Sequence, residues 1–321
     1  MLTSSLLLLV GLVLLAGGAD RFVEGAASVA RNFGMSPMVV GLTVVALGTS
    51  APEILVSAMA ASAGNSGIAM GNVLGSNIAN MTLVIGASAI VTPLVVVSST
   101  LRREFPLLIA VTALAWLLVA DGMLSRVDSA VLTFSLGVVL WLIVRSARQA
   151  QHTDPLRRGL DAQIGQSTST VRALVWGLVG LVILLLGAKL VVIGATEIAR
   201  GFGLSDLVIG LTVVAIGTSL PELATSLSSA LKGQPDIAVG NVIGSNIFNL
   251  LPVLAVAGFI HPFAVDDAVL ARDFPIVAIL TVVFLAMCMG RRGTGRVTRF
   301  EGSVLLVMFI GYQAMVYFGW L

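Results

Sequence analysis

The sequence predicts an all-α integral membrane protein of ten transmembrane helices, arranged as two inverted five-helix repeats. Three observations lead there. The chain of 321 residues is 57% hydrophobic and only 11% charged, with mean hydropathy +1.04. Its long uncharged runs reach the roughly 20 residues a helix needs to cross a bilayer. It also repeats itself: GLTVVALGTS at 41–50 returns as GLTVVAIGTS at 210–219, an offset of 169 residues. That offset persists through APE 51–53 and LPE 220–222, GNVLGSNIAN 71–80 and GNVIGSNIFN 240–249, and REFP 103–106 and RDFP 272–275. A repeat this sharp sets the architecture. Aromatic residues make up only 6%, too few for the interfacial girdles of a membrane β-barrel.

Taken in order, the first apolar run, near 3–19, opens MLTSSLLLLVG without the basic stretch of a cleavable leader and reads as a retained helix. Runs near 37–62 and 67–92 carry the repeated motifs, and those near 103–120 and 127–145 complete a first repeat, 1–145. The longest polar stretch, 146–170, holds Arg148, His152, Asp154, Arg157, Arg158 and Asp161 and reads as a cytoplasmic linker. The second repeat, 171–321, has runs near 171–192, 205–231, 236–260, 273–290 and 300–320. An odd number of spans per half turns the second copy upside down. The charges agree. Arg21, Arg31, Arg102, Arg103, Arg145, Arg148, Arg157, Arg158, Lys232, Arg291, Arg292, Arg296 and Arg299 fall on one set of alternating loops, against Arg126, Arg200 and Arg272 on the other. The positive-inside rule makes the richer set cytoplasmic and both termini extracytoplasmic, in a plasma or inner membrane. Asp20 and Lys189, matched by the offset but opposite in charge, read as local pairing or interface residues.

Chemistry concentrates in the repeated motifs. In GTSAPE, Ser50 and Glu53 share a helix face, with Thr49 in the same turn. Pro52 lacks an amide hydrogen, so the carbonyl of Gly48 loses its helical donor and the helix should break there. GTSLPE repeats the device with Thr218, Ser219, Pro221 and Glu222. In the second motif Ser76 and Asn80, and in its copy Ser245 and Asn249, stand one turn apart on one face. Broken backbone at membrane depth is tolerated where it lines a cavity or is buried in protein. Every candidate ligand is an oxygen, which suits hard cations such as Ca²⁺ and Na⁺ rather than zinc or copper. The single cysteine, Cys288, and the two histidines, His152 and His261, lie away from the motifs and offer neither a disulfide nor a soft-metal site.

Plainer readings stand beside this one. Gly71 and Gly75, like Gly240 and Gly244, form GxxxG and serve close helix packing. Ser76 or Thr49, taken singly, can bond back to its own helix. Asn72, Asn77 and their copies read as braces between helices, with ion ligation as the alternative. Glu53 and Glu222 have no such inexpensive explanation, because a carboxylate at mid-helix costs about 2.5–3.5 kcal/mol on insertion scales.

These paired motifs resemble those of the sodium/calcium exchanger family, within the cation/calcium antiporter superfamily, and the resemblance spans both halves. It implies ion ligands at Thr49, Ser50, Glu53, Ser76 and Asn80 and at Thr218, Ser219, Glu222, Ser245 and Asn249, with backbone carbonyls near Ala46 and Ala215. It implies antiport of Na⁺ against Ca²⁺ by alternating access, the first and sixth helices moving against the rest, with Na⁺ entry driving Ca²⁺ out. Potassium-dependent relatives look to have Asp where this chain has Asn249, so a potassium-independent exchanger is expected. A proton-coupled antiporter, a passive cation channel and a non-transporting scaffold or enzyme are the competing readings. No His–Ser pair, paired aspartates or zinc motif supports an enzyme, and no cofactor, nucleic acid or obligatory protein partner is expected beyond the two ions and the bilayer.

Overall fold

The computed structural model describes residues 2–33, 35, 37–97, 101–153, 169–202, 215–288 and 294–318. Helix α1 (Leu2–Asn32) runs well past the apolar stretch that announced it. Hydropathy marks where lipid ends, not where a helix must stop, and the polar end of α1 still has packing partners. Asp20 accepts the Ser228 hydroxyl and lies 3.7 Å from the Lys232 ammonium. Lys189, its match by the offset, is exposed.

The second span is broken as its proline requires. Helix α2 (Pro37–Val40) passes through a π-helical turn, π1 (Gly41–Val45), into α3 (Ala46–Thr49). The chain turns at Ser50 (φ −80°, ψ 7°) and restarts as α4 (Ala51–Ser62), the two parts bent by 43°. Helix α5 (Ser66–Ala79) continues through π2 (Asn80–Val84) into α6 (Ile85–Val91). Strand β1 (Leu94–Val97), α7 (Leu101–Leu118), β2 (Met123–Leu124) and α8 (Arg126–Thr153) follow. Helix α8 therefore continues into the polar stretch expected to be linker. The rest of that stretch, with Asp154, Arg157, Arg158 and Asp161, lies outside the described residues.

The second half begins with α9 (Thr170–Gly201). Most of its GLTVVAIG, up to residue 214, is outside the described residues, as are Arg291 and Arg292. Helices α10 (Ala215–Thr218) and α11 (Leu220–Leu231) flank Ser219, the counterpart of Ser50, at φ −87°, ψ 3°. Then come α12 (Pro235–Phe248), π3 (Asn249–Val253), α13 (Leu254–Ile260), β3 (Phe263–Ala264), π4 (Val269–Asp273), α14 (Phe274–Cys288), β4 (Thr294–Val297) and α15 (Arg299–Phe318).

Among the described residues, six helical stretches are long and apolar enough to cross a membrane, and the bent pair Met38–Thr49 with Ala51–Ser62 makes a seventh. The ten expected spans are thus not all uninterrupted helices of that length; Glu104–Leu118, for one, is apolar but shorter. Two of the stretches form the protein's axis: Ser66–Val91 and Pro235–Ile260 are each 78% buried, against 22–33% for the other four. These are the helices that carry GNVLGSNIAN and GNVIGSNIFN.

Around that axis the halves interlock. Segment α2–π1–α3 of the first half packs on α12 of the second, and α10 packs on α5. Two short antiparallel ribbons also join the halves, Leu94–Val97 with Thr294–Val297 and Met123–Leu124 with Phe263–Ala264. The 169-residue offset carries Leu94 to Phe263, and their partners Val297 and Leu124 each sit two residues ahead of the helix that follows, so the ribbons correspond between the halves although that second strand is shifted by four residues against the offset. Hydropathy gives no sign of them.

Helices α1 and α9 lie against each other in opposite directions, backbone to backbone. Gly11, Gly18 and Gly25 recur every seven residues, and the offset maps them onto Gly180, Gly187 and Gly194. A Cβ at Gly187 would sit 2.5 Å from the Leu15 amide nitrogen, and one at Gly11 2.7 Å from that of Val191. In lipid, such contact draws on dispersion between closely approaching backbones. Gly187→Leu is accordingly expected to prise the pair apart at a cost of about 1–3 kcal/mol, the usual penalty for overpacking. A lower unfolding temperature in detergent reads this directly; an unchanged one would contradict so close an approach.

Candidate cation site

Polar side chains collect where the breaks of the second and seventh predicted spans meet the central helices. The first break sits against α12. Gly41 and Gly240 let the backbones touch: a Cβ at Gly41 would lie 2.5 Å from the Ile237 carbonyl oxygen, and one at Gly240 2.6 Å from that of Met38. Gly244 fits against Ala46, whose Cβ would be 2.6 Å away. The packing role expected of GxxxG is thus filled by Gly240 and Gly244. Gly71 and Gly75 meet nothing among the described residues, and the residues matching their expected partners fall mostly within 203–214.

The crossing brings residues of both halves into hydrogen-bond range. The Thr49 hydroxyl donates to Asn241 Oδ1 at 3.1 Å and lies 3.4 Å from Ser245 Oγ. The hydroxyls of Ser50 and Ser245 both donate to Glu222 Oε1 at 3.3 Å. Asn72 Nδ2 donates to the Glu53 carbonyl at 3.1 Å and to Ser57 Oγ at 2.8 Å. Its copy Asn241 donates to the Glu222 carbonyl, Thr225 Oγ1 and Ser226 Oγ. Asn80 Nδ2 donates to Asn246 Oδ1, and Asn249 Nδ2 to Asn77 Oδ1, each at 3.0 Å. The bracing expected of Asn72, Asn77 and their copies is what these bonds do. The π-helical turns have no counterpart in the sequence expectations. Two of them begin at Asn80 and Asn249 themselves, and such bulges are frequent at functional sites.

The carbonyls divide differently from expectation. That of Ala46 accepts the Ser50 amide at 3.0 Å and the Thr49 hydroxyl at 3.3 Å. In the second half the Ser219 amide goes to Ile216 at 3.1 Å, so the Ala215 carbonyl does not receive it. Gly48 has only the proline nitrogen of Pro52 four residues on.

Thr49, Ser50, Glu53, Ser76, Asn80, Thr218, Ser219, Glu222, Ser245 and Asn249 are all buried. What sets the cluster apart is the kind of atom left over. Both carboxylate oxygens of Glu53, Oε2 of Glu222, Oδ1 of Asn80, Oδ1 of Asn249 and Oγ of Ser219 have no hydrogen-bond partner. A buried unsatisfied polar atom costs about 1–3 kcal/mol, and more when charged. Five of these six atoms can only accept and the sixth, a hydroxyl, also can, so what they lack is positive charge; Asn246 Nδ2, an amide donor, is also without a partner. No Lys, Arg or His side chain is buried among the described residues to serve instead. Nor do those residues contain a cluster of three or more His, Cys, Asp or Glu able to hold a metal. The site combines a carboxylate pair with amides and hydroxyls, the donor set of hard cations.

The chain is similar to known proteins along nearly its whole length. The family model described as sodium/calcium exchanger protein matches residues 3–145 and 172–318. CaxA of Alkalimonas amylolytica is 50% identical over 99% of both chains. Inner membrane protein YrbG of Escherichia coli is 42% identical, covering 99% of this chain and 98% of its own. A solved structure of the sodium-calcium exchanger NCX_Mj, soaked with 2.5 mM Na⁺ and 0.1 mM Ca²⁺, superposes with a TM-score of 0.84 at 34% identity, over 98% of each chain.

Proposed function

This chain belongs to the sodium/calcium exchanger family, and we propose that it exchanges Na⁺ for Ca²⁺ across a cell or inner membrane, Na⁺ entry driving Ca²⁺ out. The observation that carries this reading is the set of orphaned acceptor oxygens shared between Glu53, Glu222, Asn80, Asn249 and Ser219. Two carboxylates supply a charge of about −2, which one Ca²⁺ or two Na⁺ would neutralise; the two ions then compete for overlapping oxygens. A further Na⁺ would leave a charged complex that feels the membrane potential, at about 2.3 kcal/mol per charge per 100 mV. Ala46, Thr49, Ser50, Glu53, Ser76 and Asn80 would serve from one repeat, and Ala215, Thr218, Ser219, Glu222, Ser245 and Asn249 from the other.

Ten spans in two inverted repeats, 1–145 and 171–321, with a cytoplasmic linker and both termini outside, are part of the same proposal. The opposed directions of α1 and α9 and the mirrored ribbons support the inversion. Helices α1 and α9, 28% and 33% buried in their apolar stretches and packed on each other, would move together against the axis.

Reconstitution into vesicles with Na⁺, K⁺ and H⁺ gradients imposed separately tests the coupling. An outward Na⁺ gradient is expected to drive ⁴⁵Ca²⁺ uptake, K⁺ to leave it unchanged, and a pH gradient alone to drive none. Uptake driven by protons in sodium-free buffer would replace Na⁺ as the coupling ion. Conductance far above carrier rates without counter-transport would make the protein a channel. Protons and cations compete for the same two carboxylates, so exchange is expected to slow as the medium is acidified. A rate independent of pH into the mildly acid range would contradict two titratable ligands.

A further inference from the structure

Each carboxamide at a ligand position is held by the opposite half of the protein. The bond from Asn80 to Asn246 and the bond from Asn249 to Asn77 are images of one another under the 169-residue offset. In both, the amide nitrogen is spent on a neighbouring carboxamide oxygen. The Oδ1 atoms of Asn80 and Asn249 remain, buried and without partners. An amide has two nearly isosteric ends of opposite electrostatic sense. Turned by 180°, Asn249 would aim N–H groups, not a lone pair, at a bound cation. Asn77 and Asn246 are not among the proposed ligands, yet their oxygens hold the amide ends of Asn249 and Asn80 and leave each Oδ1 end unpartnered.

We propose that Asn77 and Asn246 are positioning residues that lock Asn249 and Asn80 with oxygen toward the ion and so set the cation affinity of the site. This rests on the site reading above. Its physical content is narrow: what matters is an acceptor at 77 and 246, not the packing of those side chains. Asn77 Nδ2 also reaches the Asn246 carbonyl at 3.5 Å, a contact a purely structural brace would share. The two roles separate on a second substitution. A carboxylate presents an oxygen in either orientation, so aspartate at 249 has no need of Asn77.

Calorimetric Ca²⁺ titration of the full-length protein in detergent distinguishes them. Asn77→Leu is expected to weaken binding by about 10–100-fold, the usual effect of losing a residue that orients a metal ligand. Adding Asn249→Asp should return the affinity to within a few fold of Asn249→Asp alone. The mirror pair, Asn246→Leu with Asn80→Asp, repeats the test from the other half and serves if Asn77→Leu does not fold. Unchanged affinity in Asn77→Leu, or a double variant as weak as the single, would overturn the positioning role while leaving the site intact. Absence of Ca²⁺ binding in the unaltered protein would instead overturn the site reading itself.

Discussion

Glu53→Gln is expected to abolish calcium transport without destabilising the protein. Glutamine keeps the shape of the side chain and removes its charge. Neither Glu53 carboxylate oxygen accepts a hydrogen bond, so no bond of the folded state depends on it. What is lost is half the negative charge facing the ion. One unit charge acting on another at about 4 Å, with an effective dielectric near 20, is worth about 4 kcal/mol. A divalent ion feels more, so affinity should fall by at least about 10³-fold. Glu222→Gln should do the same, since its remaining Oε1 can still accept from Ser50 and Ser245. Without cations, both variants should melt at or above the temperature of the unaltered protein, because a buried carboxylate lacking a partner is a cost borne for function. Saturating Ca²⁺ should then raise the melting temperature of the unaltered protein but not of the variants. Flux within a few fold of normal in both would remove the carboxylates from the mechanism.

Much of this is legible in the amino-acid sequence. The helix break at Ser50 follows from Pro52, and the buried pair Glu53 and Glu222 from the cost of charge inside a bilayer. The duplication shows which residues come in pairs, because each copy supplies the other's control. Two kinds of feature are not legible. Strand ribbons of two to four residues and π-helical turns leave no period in hydropathy; they arise when two already packed halves adjust to each other. The extent of α1 is hidden for a related reason, as its polar end is held by contacts with α9 and Lys232 rather than by lipid. The glycine heptads of α1 and α9 are present in the sequence, but a seven-residue period needs a partner helix before it means close approach.

The site divides along the same line. Residue types and spacing identify an oxygen-rich cluster, with braces at Asn72 and Asn77, but not which bonds those braces make. The two carboxylates also differ in a way symmetry hides: Glu222 accepts two hydroxyls while Glu53 accepts none. Identical motifs in an asymmetric conformation need not make identical bonds. The alternating access proposed above would require such asymmetry, because a site equally arranged toward both faces could not favour one of them.

The second large effect is expected at Gly244, which touches no ion. Its missing Cβ is what allows α12 to reach π1 and α3, with the Leu42 carbonyl and Ala46 Cβ against it. Gly244→Val must push these backbones apart, since a carbonyl and a helix cannot yield as a flexible side chain would. The bonds across that crossing are the ones that tie the first break to the second half: Thr49 to Asn241 at 3.1 Å and Thr49 to Ser245 at 3.4 Å. Each is lost if the helices separate by about 1 Å, since hydrogen bonds weaken steeply beyond about 3.5 Å. Displacements of that size commonly cost about 10²-fold where several groups must converge on one reactant. Transport should therefore fall by at least that factor, with about 1–3 kcal/mol of stability lost to overpacking. Gly137→Val on α8 is the control: a Cβ there meets nothing within 4 Å among the described residues, and the position is exposed. If Gly244→Val transports as well as Gly137→Val, the close crossing does not hold the ligands in place, and the site must be assembled by contacts elsewhere.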